Sequence, residues 1–323
     1  MNVLITNVGR RGYLVEYLKA NMKYNVRVFV SDCDKTASGL YTCNDGHFVL
    51  PRPVDDPEHY VNTLIRTCLE NDIYVIIPVI DPEITILGEY LPRFEQNGIF
   101  VSVSQKRVLD ICYNKLCMNE FLRNHDFFVP KTFVCLEELS KAVACGEVTF
   151  PVIIKPIYGS GSVSTYKVDC MNEAKALFRE GHMIQEFVDG QEYGTDVFND
   201  ASNIPVRCVL KKKISMRSGE TDKALTVKLP SVQAKVIRLA QALGHRGNLD
   251  CDLIVREGRV YFIDLNPRFG GGYPATHAAG VDLLELVLDM SQHERIVPNF
   301  EDYEDNLLVM KTVSVKTIKA DMI

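Results

Sequence analysis

The chain has 323 residues, 46% of them hydrophobic and 24% charged, which is the usage of an ordinary globular protein long enough for two domains or for one unit with a mobile lid. A formal net charge of -6 argues against a general nucleic-acid binder, and no apolar run approaches the length of a membrane span. The ten cysteines include no C-x-x-C pair; Cys68, Cys112, Cys117 and Cys251 read as small buried hydrophobes. The opening Met1-Asn2-Val3-Leu4-Ile5-Thr6 has no basic flank and too short an apolar run for a signal peptide. The expectation is a reduced, soluble, cytoplasmic protein with no nucleic-acid or membrane partner.

The first hundred residues alternate strands with helical patterns. Val3-Leu4-Ile5 is a strand, and Tyr13, Leu14, Tyr17 and Leu18 share one helical face. A strand over 26–30, a helix over 57–70, the buried strand Ile73-Tyr74-Val75-Ile76-Ile77-Pro78, a helix from about Glu83 and a strand at 99–101 complete a parallel βαβ series. Gly9-Arg10-Arg11-Gly12 occupies the first strand-to-helix turn but lacks the full G-x-G-x-x-G of a dinucleotide site. Arg10, Arg11, Asp81 and Glu83 fall at strand ends, where they allow two readings: substrate contacts, or helix capping by the acids with solvated arginines.

A helical pattern over 105–124 leads into a second region with a strand at 131–134 and a helix at 136–144. Phe150-Pro151-Val152-Ile153-Ile154-Lys155-Pro156 is a buried-looking strand that ends in a lysine, which is costly to bury without an anionic partner. It runs into Tyr158-Gly159-Ser160-Gly161-Ser162-Val163-Ser164, whose amides and hydroxyls suit phosphate oxygens. This is not a Walker A loop, since no Gly-Lys-Ser/Thr follows. Alone it is a hairpin turn; between a strand lysine and a strand over 163–168 it reads as a phosphate-covering flap. In Met183-Ile184-Gln185-Glu186-Phe187-Val188-Asp189-Gly190-Gln191-Glu192, an apolar strand meets a turn. Its backbone at 186–188 suits an adenine edge and Glu192 suits ribose hydroxyls; the other reading is a hinge with solvated acids.

A strand over 206–214 carries Lys211-Lys212-Lys213. Alternation turns Lys211 and Lys213 one way and Lys212 the other, toward a cleft or merely toward solvent. The polar stretch 215–223 reads as a loop able to close over substrate. After a helix at 231–243, Leu249-Asp250-Cys251-Asp252-Leu253 and Tyr261-Phe262-Ile263-Asp264-Leu265-Asn266-Pro267-Arg268-Phe269-Gly270-Gly271-Gly272 form two strands joined by the turn Glu257-Gly258. Such a hairpin brings Asp252 beside Asp264. Asp264 and Asn266 lie on one face as hard ligands suited to magnesium, or as a plain polar edge. Arg268 follows, able to hold a transferring phosphoryl group, and three glycines let the backbone pass close to a ligand. A helix at 282–290 and a strand at 307–315 close the chain.

In this order, Lys115, Lys155 before the Gly/Ser loop, Gln185-Glu186-Phe187-Val188 with Glu192, Asp252, and Asp264-Leu265-Asn266-Pro267-Arg268 resemble the ATP-grasp superfamily. The nearest branch is the one like the carbamoyl-phosphate synthase large subunit, which includes small carboxylate–amine ligases. The resemblance spans essentially the whole chain, and its specific parts are the Asp-x-Asn-Pro-Arg segment and the Lys-Pro strand. It implies an α/β ATP-grasp fold: a Rossmann-like preATP-grasp domain at 1–112, a small lid with its leading helix at 113–188, and a large subdomain with the metal site at 189–323. Lys115, Lys155, Gly159, Ser160, Gly161 and Ser162 would then bind ATP phosphates. Glu186 and Val188 would hold adenine through backbone groups, and Glu192 would hold ribose. Asp252, Asp264 and Asn266 would hold magnesium, with manganese as a substitute, and Arg268 with Lys213 would act on the reacting groups. The family's usual glutamate is an aspartate at 264, whose shorter reach implies direct contact with one ion.

The activity so implied is ATP-dependent joining of a carboxylate to an amine or similar nucleophile through an acyl-phosphate, acting on small molecules, with a homodimer allowed. The alternatives are carbamoyl-phosphate-synthase-like or kinase-like phosphoryl transfer, a non-catalytic ATP-binding module, and a Rossmann oxidoreductase. His277 borders the glycine turn either as a site residue or as a packed histidine.

Overall fold

The computed structural model describes residues 1–42, 45–159, 161 and 164–319, so Ser160 and Ser162 of the expected flap lie outside the described residues. The N-terminal part alternates β1 (Asn2–Thr6), α1 (Gly12–Ala20), β2 (Arg27–Asp32), β3 (His47–Val49), α2 (Pro57–Glu70), β4 (Val75–Pro78), α3 (Asp81–Glu89), α4 (Leu91–Gln96) and β5 (Phe100–Val101). Its five strands are parallel, in the order β3-β2-β1-β4-β5. Continuous apolar runs suit a sheet covered on both faces. Leu4, Ile76 and Tyr60 pack on one side, and Val3, Ile5 and Leu14 on the other. The second core also takes in Leu283, Leu284 and Val287 near the C-terminus, so the sheet is packed directly against the last third of the chain. Strand order reverses between β1 and β4, and ligands of open α/β sheets bind at the carboxyl ends of strands at such a reversal.

The helical pattern expected over 105–124 is two helices, α5 (Lys106–Tyr113) and α6 (Lys115–Asn124). Asn114 separates them with extended backbone, and its side chain accepts hydrogen bonds from the amides of Leu116 and Cys117, capping α6. The cap places Lys115 in the first turn of a helix instead of mid-helix. Met118, Phe121 and Leu122 of α6 pack in the large core described below.

Next come β6 (Thr132–Phe133), α7 (Leu136–Ala144), β7 (Val152–Pro156), β8 (Tyr166–Val168), α8 (Met171–Leu177) and β9 (His182–Glu186). They form a small antiparallel sheet, β6-β9-β7-β8, with its own core of Phe133, Leu139, Val152, Ile154 and Ile184. The remainder holds β10 (Gln191–Asn199), β11 (Pro205–Arg217), β12 (Glu220–Val227), α9 (Pro230–Leu243), β13 (Gly247–Arg256), β14 (Arg259–Asn266), α10 (Tyr273–Ala278), α11 (Leu283–Ser291) and β15 (Leu308–Met310). This second antiparallel sheet runs β14-β13-β10-β11-β12-β15 and packs Val197, Leu210 and Leu253 against Val236 and Leu239 of α9.

Two further expectations change. The stretch 215–223 is no loop: Ser215 pairs with Lys223 and Arg217 with Glu220, around a turn at Ser218 and Gly219 whose φ values are 50° and 76°. The hairpin projects beyond the core, so its strands need no apolar alternation. The last strand is also shorter than 307–315, because pairing with β12 ends where the Lys311 amide donates to Asp222 O at 3.0 Å. Among the described residues no helix is long and apolar enough to cross a membrane, and the nine described cysteines are free thiols.

Candidate active site

A cleft of about 560 Å³ lies where the three sheets meet, and every described residue that the resemblance assigns to the site lines it. Lys115 comes from the first turn of α6, and Lys155 from the end of β7. The Lys115 ammonium donates to the Gly159 carbonyl and stands 3.5 Å from Asp264 Oδ1. Its backbone amide donates to Ile157 O at 3.0 Å, so the start of α6 is stitched to the chain that follows Lys155. Lys155 Nζ donates to Ile263 O at 3.3 Å. Burial lowers its pKa to about 8; Asp264 opposes the shift and the Lys115 ammonium adds to it. Two ammonium groups share one region below the Gly159–Gly161 turn, an arrangement that favours polyanionic ligands.

The turn itself is held from the opposite side. A Cβ on Gly219, at the tip of the β11–β12 hairpin, would lie 2.6 Å from the Gly161 carbonyl carbon and closer to its oxygen. Only glycine lets the two backbones meet there, and the positive φ of Gly219 points the same way.

Along the lid edge, the Glu186 amide donates to Lys131 O at 2.8 Å and the Glu186 carboxylate accepts from Lys131 N at 3.2 Å. Val188 is buried and lines the cleft, and among the described residues its amide makes no hydrogen bond. A buried donor of this kind fits an adenine ring nitrogen. Glu192 lies 2.7 Å from Lys213 Nζ, which lies 2.8 Å from Asp252. Burial alone would lower the Lys213 pKa, but the Asp252 and Glu192 carboxylates outweigh it and hold the ammonium charged. Lys211 does not share this position. It is 2% exposed and ion-paired to Asp196, with Thr276 Oγ1 at 3.0 Å, a buried network behind the cleft.

The cleft floor is an acidic face set by strand register. Asp252 pairs with Asp264 and Asp250 with Asn266 across β13 and β14. Period-two alternation therefore turns all four toward the cleft they line. Asn266 Nδ2 donates to Asp264 Oδ2 at 3.3 Å. Burial, against the pull of Lys213, raises the Asp252 pKa. Burial and Asp252, against Arg268, raise that of Asp250 to about 6. Among the described residues no three His, Cys, Asp or Glu side chains form a closed metal cage. Two carboxylates and an amide oxygen nevertheless fit magnesium, which takes much of its shell from water and phosphate oxygens.

Arg268 is held by two carboxylates from different parts of the chain. Its guanidinium donates to Asp250 Oδ2 at 2.9 Å and to Asp81 Oδ2 at 3.0 Å, so it joins the acidic face to the first turn of α3. Both carboxylates outweigh burial and raise its pKa. Its buried Nε has no partner among the described residues. Asp282 caps α11 through the amides of Leu284 and Glu285. Asp250 was not singled out by the sequence, although its spacing from Asp252 was the available signal. Asp81 serves Arg268 as well as its helix. Glu83 is fully buried against the Tyr60 hydroxyl and is no cleft residue. His277 stacks on Tyr17 at 3.8 Å as a packed histidine. The glycine turn also has a different neighbour from the expected ligand. A Cβ on Gly270 would lie 2.6 Å from Asp250 Oδ1 and closer still to Oδ2 and Cγ, so the turn makes room for the carboxylate that holds Arg268.

Residues 3–102 match the family described as PylC-like, N-terminal domain, and residues 112–272 match the ATP-grasp domain. The arginine-specific carbamoyl phosphate synthase large chain of Geobacillus stearothermophilus is 25% identical over 194 residues, covering 56% of this chain and 18% of that one. The chain spans about a fifth of the length of such relatives. The fold is shared with the biotin carboxylase domain dimer of Hydrogenobacter thermophilus 2-oxoglutarate carboxylase, solved with MgADP, ADP and bicarbonate. There the TM-score is 0.74 at 17% identity, covering 95% of this chain and 73% of that one. It is shared too with the L-amino acid ligase of Bacillus licheniformis, with a TM-score of 0.68 at 18% identity, covering 90% and 74%. The two matched domains account for both the parallel sheet and the cleft beside it, and the chain belongs to the ATP-grasp family.

Proposed function

We propose that this chain is an ATP-dependent ligase that joins a small carboxylate to an amine or similar nucleophile through an acyl-phosphate. The observation that carries the reading is the meeting of two charge sets in one cleft. Lys115 and Lys155 lie under the Gly159–Gly161 turn, against the Asp264 end of an acidic face made by the Asp252–Asp264 and Asp250–Asn266 pairs, and Arg268 lines the same cleft. Residues 113–188 act as the lid, with the helix of Lys115 anchored in the larger core below.

In this reading the Val188 amide and the Glu186 backbone hold adenine, and Glu192 holds ribose. Lys115, Lys155 and the amides of the glycine turn hold the phosphates, with Ser160 and Ser162 assigned there by resemblance. Asp252, Asp264 and Asn266 hold magnesium, or manganese in its place; the ion offsets phosphate charge and orients the transferred group. A carboxylate oxygen of the acceptor attacks the γ-phosphorus, ADP leaves, and the nucleophile then displaces phosphate from the acyl carbon. Arg268 stabilises the charge that develops on the transferring phosphoryl group and on the tetrahedral oxyanion, with its unpartnered Nε as the remaining donor. Lys213, fixed between Glu192 and Asp252, keeps the nucleotide and metal acids in register. The setting is the reduced cytoplasm, with a homodimer allowed.

A phosphate-release screen with ATP, magnesium and pools of small carboxylates and amines tests the reading. Release that depends on both a carboxylate and an amine is expected. ADP formation that needs a carboxylate but no amine would favour kinase-like transfer, and absence of MgATP binding would refute the assignment.

A further inference from the structure

We propose that the acceptor acid carries a second anionic group, a carboxylate or a phosphate, held by Arg10 and Arg52 in a side cavity at the carboxyl ends of β1, β2 and β3. The inference rests on the ligase reading and names the substrate class of that site.

The cavity measures about 390 Å³ and shares Arg11, Ile80, Pro82 and Glu220 as a common wall with the main cleft. A ligand whose reacting carboxylate lies in the cleft therefore has room to extend past this wall. The loop after β1 contributes Arg10, the end of β2 contributes Asp32, and the chain after β3 contributes Arg52.

Charge commitments decide what this cavity can hold. Its two acids are already engaged. Glu220 pairs with Arg11 at 3.2 Å and with Lys311 at 3.6 Å. Asp32 accepts from the amides of Gly9 at 2.8 Å and Asp34 at 2.9 Å. Arg10 and Arg52, by contrast, have no ion pair among the described residues. Three arginines line the cavity against these two carboxylates, so its net charge is positive, and the two guanidinium groups without an ion pair sit on separate loops, each able to hold two anionic oxygens at once. A terminal ammonium group would meet repulsion from both arginines, against one carboxylate, Asp32, whose two oxygens each already accept from an amide.

The frame around Arg10 is preformed. Val8 N donates to Ser31 O at 3.0 Å, Arg11 N to Val8 O at 2.8 Å, and Gly39 N to Gly9 O at 2.8 Å. Little backbone ordering is then left for binding to supply. Val54, Ile80, Pro53 and Pro82 add apolar wall suited to a short methylene spacer.

The test uses the full chain with saturating MgADP and measures calorimetric binding of four probes: glutarate, 3-phosphoglycerate, pentanoate and 4-aminobutyrate. Glutarate and 3-phosphoglycerate are expected to bind at least about tenfold more tightly than the other two, the scale of one charge-assisted contact. Preference between these two distinguishes a carboxylate from a phosphate as the distal group. In the double variant Arg10→Ala, Arg52→Ala, that advantage should vanish while MgADP affinity stays within about twofold, because neither arginine is among the residues assigned to the nucleotide. Pentanoate or 4-aminobutyrate binding as tightly as the better of the two dianions would overturn the proposal, as would an unchanged dianion preference in the double variant. MgADP affinity of the unmodified protein reports separately on the ligase reading: retained nucleotide binding without dianion preference defeats the substrate class alone.

Discussion

Gly270→Ala is the substitution whose consequence the structure specifies most fully. The added methyl carbon would stand 2.6 Å from Asp250 Oδ1 and nearer to Oδ2 and Cγ, where real contacts exceed 3.0 Å. Asp250 sits on β13, paired with Asn266, so its backbone cannot retreat without disturbing the neighbouring strand. Its carboxylate must rotate away instead, and the 2.9 Å contact with Arg268 is then lost. Breaking a buried pair costs about 3–5 kcal/mol, but Arg268 keeps Asp81, so a loss of about 2–3 kcal/mol is expected. For a chain of this size, that is a fall in Tm of roughly 3–4 °C. A displacement of Arg268 by about 1 Å should also lower turnover on the order of a hundredfold with little change in MgATP affinity. The decisive assay is a double-mutant cycle with Asp250→Ala, read by chemical denaturation. Once the carboxylate is gone, Gly270→Ala should add less than about 0.5 kcal/mol, leaving a coupling of roughly 2 kcal/mol. Equal destabilisation in both backgrounds would show that the Asp250 contact is not the reason for glycine at 270.

Other perturbations separate nucleotide contacts from support. Lys155→Ala should weaken MgATP binding by about tenfold or more while leaving adenosine binding unchanged, because a charged phosphate contact is lost. Equal weakening of both ligands in calorimetry would make Lys155 a prop for the Ile263 carbonyl alone. Gly219→Ala should weaken MgATP binding by about tenfold, since left-handed strain of about 1–2 kcal/mol and the clash with Gly161 push hairpin and flap apart; unchanged affinity would mean the flap works without the hairpin. His245 is fully buried, and burial lowers its pKa to about 4, against the hydrogen bond it donates to Val197 O. Because it binds a proton in the unfolded chain near pH 6.5 and in the folded chain only near 4, stability is full above 6.5 and falls as pH drops across that interval, by about 3 kcal/mol in total. His245→Gln should flatten that limb of the stability curve. A difference between the two proteins that stays constant from pH 7 to pH 4.5 would contradict the assignment.

What the sequence could and could not disclose follows from the range of each interaction. Strands such as Val3-Leu4-Ile5 and the hairpin around Glu257-Gly258 were readable because alternation and turn chemistry act within a few residues. The facing of Asp252 and Asp264 was readable for the same reason, since a tight turn fixes register. Asn114 hid inside a helical pattern because its neighbours keep helical spacing; only its ability to cap marked the break. The hairpin over 215–223 was missed because strands that project from a core lose the apolar alternation by which strands are recognised. The Arg268–Asp81 contact spans 187 positions of sequence, and no local pattern encodes a partner at that distance. The three glycines lie between these cases. Their spacing discloses that something approaches the backbone closely, yet not what, and the obvious inference was a ligand. At Gly270 the approaching group is a carboxylate of the protein itself. The site gains from this substitution of roles. Asp250 and Asp81 hold the guanidinium of Arg268 from two sides, one from each sheet system, so its position is fixed only when the parallel sheet and the acidic face are correctly joined.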